Sequence, residues 1–115
     1  MKIITTLSND AKQNIKLVLS DNSVADLTLE YSDNQKGWFY SITYGTWSSY
    51  GRRLVTSPNA LRAFRNIVPF GLACYTTDGY EPVDIDDFKN GRVKLYLLTI
   101  ADVALAESYI TTLVL

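Results

Sequence analysis

Residues 25–31 read Ala-Asp-Leu-Thr-Leu-Glu-Tyr, an alternation that sets Ala25, Leu27, Leu29 and Tyr31 against Asp26, Thr28 and Glu30. Successive side chains of an extended chain point to opposite faces, so a period of two predicts a strand with one dry and one wet side, as in antiparallel sheet. Just upstream, Ile15, Leu17 and Leu19 alternate with Asn14, Lys16 and Val18, and Asp21-Asn22-Ser23 between the two runs is a turn cluster. The two runs predict a hairpin. Downstream, residues 32–37 form a polar turn, and residues 38–44 place Trp38, Tyr40, Ile42 and Tyr44 on one face. Three consecutive antiparallel strands make a meander.

The pattern continues less regularly. Gly45 and Gly51 bracket Thr46-Trp47-Ser48-Ser49-Tyr50, which suits a loop or bulged edge better than a core strand, and residues 53–56 read as a short strand resuming after it. Ser57-Pro58 is a helix-start signal with Leu61 and Phe64 three apart, and Pro69 limits that helix to residues 58–65 or 66. Residues 71–75 read as a strand, Asp78-Gly79 as a turn and residues 83–88 as an extended or irregular piece. Asn90-Gly91 predicts a type I′ hairpin turn, because both of its central residues need positive φ, and Val93, Leu95 and Leu97 then share a strand face. In the last stretch Ile100, Val103 and Ala104 have helical spacing while residues 109–115 are rich in strand formers, so a short helix followed by a strand or tail is expected. The fold class is mainly β: a small antiparallel sandwich or barrel-like domain with one or two short helices.

Composition narrows the function. A chain of 115 residues, 47% hydrophobic and 20% charged, fits one folded domain spanning residues 1–115. It contains no histidine, which removes Ser-His-Asp, Cys-His and His-metal chemistries. Its single cysteine, Cys74, lies in an apolar run and reads as a small buried hydrophobe, so no internal disulfide is expected and a reducing compartment is compatible. The N-terminal residues lack the apolar core of a signal peptide. The apolar run at residues 95–98 is far shorter than the roughly 20 residues that span a bilayer. A net charge of −1 argues against nucleic acid as the main partner.

Charge is nevertheless segregated along the chain. Between residues 34 and 77 the only charged side chains are Lys36, Arg52, Arg53, Arg62 and Arg65; between 78 and 87 they are Asp78, Glu81, Asp84, Asp86 and Asp87. The arginines suit a partner's carboxylates or phosphate through their planar donor fork, with a hydrated helix face as the plain alternative. Asp84, Asp86 and Asp87 invite a metal or acid-base reading, yet lack EF-hand spacing and equally suit a solvated turn, so no metal is assigned. Trp38 and Tyr40 read as core. Trp47 and Tyr50, in the Gly-bounded segment, read as contacts for a protein partner before a sugar. No catalytic residue and no cofactor is expected.

The pieces Ile15-Lys-Leu-Val-Leu, Leu27-Thr-Leu-Glu-Tyr31, Gly37-Trp38, Tyr40-Ser-Ile42, Leu54, Asn59-Ala-Leu61, Pro69-Phe-Gly71, Glu81-Pro82, Asp87-Phe88 and Gly91-Arg92-Val93-x-Leu95-Tyr96 follow one another in an informative order. That order resembles the cyanophage-type baseplate plug proteins of contractile-tailed bacteriophages, over residues 4–98. The resemblance implies a structural virion protein at the distal tube or hub of the tail, made in the cytoplasm of the host bacterium. Its implied partners are other baseplate, hub or tail-tube proteins, with self-association in a ring as a further possibility, and it carries no catalytic residues over. The chain departs from the family pattern at residues 47–50, where a D-x-x-G type hairpin is expected, and after Ile100. Trp47, Tyr50, Arg52, Arg53, Arg62, Arg65, Asp84, Asp86 and Asp87 are the candidate assembly residues. Two other readings stand beside it: a non-enzymatic sandwich that binds an anionic or carbohydrate ligand, and a carboxylate hydrolase using Asp84, Asp86 and Asp87.

Overall fold

The computed structural model describes residues 1–5 and 7–114, with side chains described through Ser108. In chain order the elements are β1 (Lys2–Ile3), β2 (Lys12–Val18), β3 (Val24–Ser32), β4 (Gly37–Tyr44), β5 (Trp47–Arg53), β6 (Gly71–Thr76), β7 (Val93–Leu98) and α1 (Ile100–Val114). They form two antiparallel sheets, a four-stranded one in the order β2-β3-β4-β5 and a three-stranded one in the order β1-β7-β6.

The alternation in residues 25–31 sets the register. Ile15 stands opposite Leu27 and Leu17 opposite Ala25 on the dry side; Lys12 faces Glu30, Asn14 faces Thr28 and Lys16 faces Asp26 on the wet side. Opposite charges directly across a strand pair attract. Lys12 and Lys16 accordingly pair with Glu30 and Asp26, and Asn14 donates to the Thr28 hydroxyl at 3.0 Å. The turn between β2 and β3 closes through the Leu19 and Ser23 backbones, with Asn22 at φ 69°, a conformation that asparagine tolerates.

β5 is a bulged edge, as its glycines suggest. Ile42 pairs with Ser49 but Tyr40 pairs with Arg52, so Tyr50 and Gly51 together stand opposite Ser41. Gly51 takes φ 64° at that point and its N–H donates to the Ser41 hydroxyl at 3.0 Å.

The dry faces of the two sheets share one core. Leu17, Leu27, Leu29, Trp38, Tyr40 and Ile42 from the larger sheet meet Leu72, Cys74, Val93 and Leu95 from the smaller one, with Leu54, Leu61, Phe70 and Phe88 from the connections filling the margins. Trp38 sits edge-on to Tyr31 and Phe88, at ring separations of 5.4 and 5.0 Å. The fold is a two-sheet sandwich. The outer face of the smaller sheet also buries Ala73 and Leu98, on the side against which α1 packs. Thr99 caps that helix: its hydroxyl accepts from the Asp102 N–H at 3.2 Å, while its own N–H donates to the Asp102 carboxylate at 3.1 Å.

Four expectations are corrected. The helix at residues 58–66 shrinks to a 3-10 turn, Arg62–Phe64, because the preceding backbone is recruited by the sheet. Ser57 exchanges two backbone hydrogen bonds of 2.9 Å with Cys74, and the Ala60 N–H donates to the Leu72 carbonyl at 2.6 Å, so this segment lines the free edge of β6. The strand expected at residues 53–56 ends at Arg53. Asn90-Gly91 is not a type I′ hairpin turn: Gly91 has φ 80° but Asn90 stays at negative φ, no strand precedes it, and β7 pairs with β6 and β1 instead. Residues 109–114, expected as strand or tail, continue α1, since a helix nucleated by a cap extends at little cost per residue. Leu115 lies outside the described residues.

Candidate functional site

The acidic segment after β6 is organised by one arginine. Arg92 Nε donates to Asp87 Oδ1 at 2.8 Å and Nη2 to Asp87 Oδ2 at 2.6 Å, a two-pronged pair. Its Nη1 reaches Asp78 Oδ1 at 2.9 Å and the Tyr80 carbonyl at 3.1 Å, and Nη2 also reaches the Glu81 carbonyl at 2.8 Å. Asp87 Oδ2 further accepts from the N–H groups of Val83 and Asp84, both at 3.0 Å. Burial by itself would raise the Asp87 carboxyl; the Arg92 donors and the two backbone N–H groups outweigh it and hold the group below the usual carboxylate range. Arg92 is in turn held further toward its charged form, chiefly by the Asp87 hydrogen bonds.

Asp87 is therefore withdrawn from the assembly face expected of it. It is fully buried, and its lone pairs are committed to holding the loop together. Asp86 accepts from Asn9 Nδ2 at 3.1 Å, Asp84 is exposed, and Glu81 clamps Thr56 through its N–H and hydroxyl, both at 2.8 Å. The three aspartates do not converge on a common point, and among the described residues no group of three or more carboxylate or thiol ligands gathers to hold a metal. The loop is seated on the Trp38 end of the sandwich: Trp38 Nε1 donates to the Asp84 carbonyl at 3.0 Å and the Tyr31 hydroxyl to the Val83 carbonyl at 2.7 Å. Burial, with the Asp33, Asp84 and Asp87 charges nearby, pushes the Tyr31 phenol up.

The basic block of the sequence divides in space. Arg52 and Arg53 are successive residues of β5 and leave opposite faces of the strand. Arg53 lies over Phe39, 5.6 Å from the ring centre, and donates to the Gln35 and Lys36 carbonyls at 3.1–3.3 Å. Arg52 lies over Phe64, 5.1 Å from its centre, and the Phe64 ring packs 5.1 Å from Trp47. Arg62 and Arg65, at the 3-10 turn, share Glu107 of α1: Arg62 donates to both of its carboxylate oxygens at 2.8 Å, and Arg65 Nε lies 3.7 Å away. The Arg62 hydrogen bonds hold Glu107 below its usual range. Trp47 is half-buried by these contacts, whereas Tyr50 stands 72% exposed on the bulge.

Several residues that organise these surfaces carry little sequence signal. Arg92 sits in the Gly91-Arg-Val93 motif but reads there as a strand residue, and Glu107 reads as a helix position. Asn59 is fully buried, and its Oδ1 accepts from the Leu61 and Leu72 N–H groups at 3.0 and 3.2 Å. Cys74 is buried as expected, and burial pushes its thiol up to about 12, where it is inert.

The arrangement is that of a structural domain: its polar clusters tie loops to a sandwich, and its exposed aromatic and charged residues face outward. A family model described as cyanophage baseplate Pam3 plug gp18 matches residues 1–101. The chain belongs to that family, and so to the structural proteins of the phage tail baseplate. A search of curated proteins finds no match.

Proposed function

We propose that this chain is a plug-type component at the distal end of the tail tube or hub, and that it works by protein-protein assembly and not by catalysis. The match over residues 1–101 carries the reading. The surface supports it: Trp47, Tyr50 and Arg52 present the residue types that dominate binding energy at protein interfaces. The neighbours are other baseplate, hub or tail-tube proteins and further copies of the chain itself; synthesis takes place in the host cytoplasm before incorporation.

The direct test is a phage carrying an epitope-tagged or deleted copy of this gene. Tagged particles are expected to show label at the distal tip of the tail, and deletion to yield tails with an incomplete baseplate. Label elsewhere on the particle, or intact and infectious particles without the protein, would overturn the reading.

A further inference from the structure

Phe64, on the 3-10 turn, touches two side chains of β5. Arg52 and Trp47 stand opposite Tyr40 and Tyr44 in the register, so both leave the strand on its core-facing side. There the Arg52 guanidinium lies over the Phe64 ring, 5.1 Å from its centre, and the Trp47 ring packs at 5.1 Å. The same turn carries Arg62 and Arg65. Just beyond it Ile67, whose N–H donates to the Phe64 carbonyl at 2.8 Å, stands 63% exposed. Cationic and apolar side chains thus surround one ring.

The charges at this turn do not balance. Arg62 and Arg65 share the Glu107 carboxylate. Arg52 is exposed, and among the described residues its guanidinium has neither a hydrogen bond nor an ion pair. Stacking restricts the Arg52 head while leaving its N–H donors to solvent, so less freedom is lost on binding than an unsupported lysine would lose. A planar donor fork held in that way suits a carboxylate. The apolar surroundings select protein as its source: Trp47, Phe64 and Ile67 give a partner's apolar side chain something to cover, which a phosphate backbone does not use.

A second copy is poorly supplied with that carboxylate. Of the twelve acidic side chains, five are ion-paired with lysine or arginine and five more accept hydrogen bonds within the chain, which leaves Asp33 and Asp84. The patch meeting itself would set arginine against arginine. We propose that Arg52, held on Phe64 beside Trp47, receives a carboxylate from an acidic segment of a different baseplate protein, with an apolar side chain of that segment covering Phe64 and Ile67. This rests on the assembly reading above and gives it a partner class. The attraction is partly exposed and weakens with salt.

The test uses phage whose copy of the gene encodes the full chain with the photo-crosslinker p-benzoylphenylalanine in place of Ile67. Irradiation of assembled tails is expected to join it to another baseplate protein, at a segment bearing Asp or Glu. An adduct with a second copy, with nucleic acid or with a segment lacking carboxylates overturns the proposal. Separately, R52E, shown to fold by its thermal melt, is expected to occupy tails about tenfold less than the unaltered chain, the scale of losing one oriented charge contact. Arginine in place of the crosslinked partner's carboxylate is expected to restore R52E. Should R52E not fold, R52Q takes its place; its occupancy is expected to fall and not to be restored by that arginine. A folded Arg52 variant that enters tails as the unaltered chain does, or an R52E loss that the partner's arginine leaves in place, overturns the proposal while the assembly reading stands. An unaltered chain that never enters tails overturns the assembly reading itself.

Discussion

Arg92 and Asp87 lie five residues apart in sequence and meet through two parallel hydrogen bonds of 2.8 and 2.6 Å, the carboxylate fully buried and the guanidinium only 18% exposed. The remaining donors of Arg92 hold Asp78 and the carbonyls of Tyr80 and Glu81. One side chain thereby ties together Asp78, Tyr80, Glu81 and Asp87 of the segment between β6 and β7.

Replacing Asp87 with asparagine removes one of the two charges and leaves Arg92 with Asp78 as its carboxylate partner. Breaking a buried pair from one side is costly, and the partial exposure of Arg92 moderates the loss to about 2–3 kcal/mol. Chemical denaturation is expected to show that decrease with an unchanged slope. A shift under 0.5 kcal/mol would mean that the loop holds its path without this pair.

The same pair makes the fold acid-sensitive. Asp87 titrates lower in the folded chain than in the unfolded one, so the stability it contributes is complete above the unfolded value of about 4 and drains away as pH falls through the folded value. Melting temperature is expected to be flat from pH 7 to 5 and to fall below about pH 4. The D87N variant is expected to melt lower throughout but to lose less on acidification. Parallel curves for the two proteins would assign the acid sensitivity elsewhere.

Gly71 marks a close approach. A Cβ built there would stand 2.6 Å from Asn59 Oδ1 and 2.9 Å from its Cγ, and that oxygen serves the N–H groups of Leu61 and Leu72. Gly71→Ala must push a buried amide off two backbone donors. A cost of about 2 kcal/mol is expected from the overpacking and the loosened hydrogen bonds. N59A is expected to destabilise by a similar amount for the second reason alone, and adding G71A to it should cost much less than G71A does by itself. Full additivity in that cycle would show that the clash is not with Asn59.

Trp38→Phe keeps most of the aromatic packing against Tyr31 and Phe88 but removes the donor to the Asp84 carbonyl. The expected cost is about 1–3 kcal/mol, combining a smaller ring in a filled core with a lost hydrogen bond. Faster amide exchange is expected at residues 83–87. If exchange rises evenly across the sheet instead, the tryptophan acts through packing and not through the loop.

The strands were legible wherever one face is wet. Residues 25–31 show their wet face in sequence, and in the fold Asp26, Thr28 and Glu30 each meet a polar partner across the strand, Lys16, Asn14 and Lys12. Legibility failed where a local signal competed with a distant one. Ser57-Pro58 reads as a helix start, but the Ser57 and Ala60 N–H groups find acceptors on β6 and the helix contracts to a single turn. Asn90-Gly91 reads as a hairpin turn, but the strand that pairs with β7 lies some twenty residues earlier. At the candidate surfaces Tyr50 is exposed and Trp47 is half-buried against Phe64, while the arginines part company: a strand begun at residue 53 leaves Arg52 outside the alternation that sends it and Arg53 to opposite faces, and sequence spacing cannot say that Glu107 closes on Arg62. The aspartate run hid a similar division, since burial of Asp87 depends on Arg92 folding back across the loop.

The lysines of β2 bear on how such a protein tolerates crowding. β2 is an open edge of the larger sheet, and Lys12 and Lys16 project from it toward Glu30 and Asp26 on the next strand. A foreign strand seeking to zip onto that edge would have to match a charged outer face laid down by Lys12, Lys16, Glu30 and Asp26. At the local concentrations of a growing particle this edge therefore repels the runaway stacking that turns sheet proteins into fibres. Copies brought close together are left to meet through side chains whose geometry fixes where each contact ends.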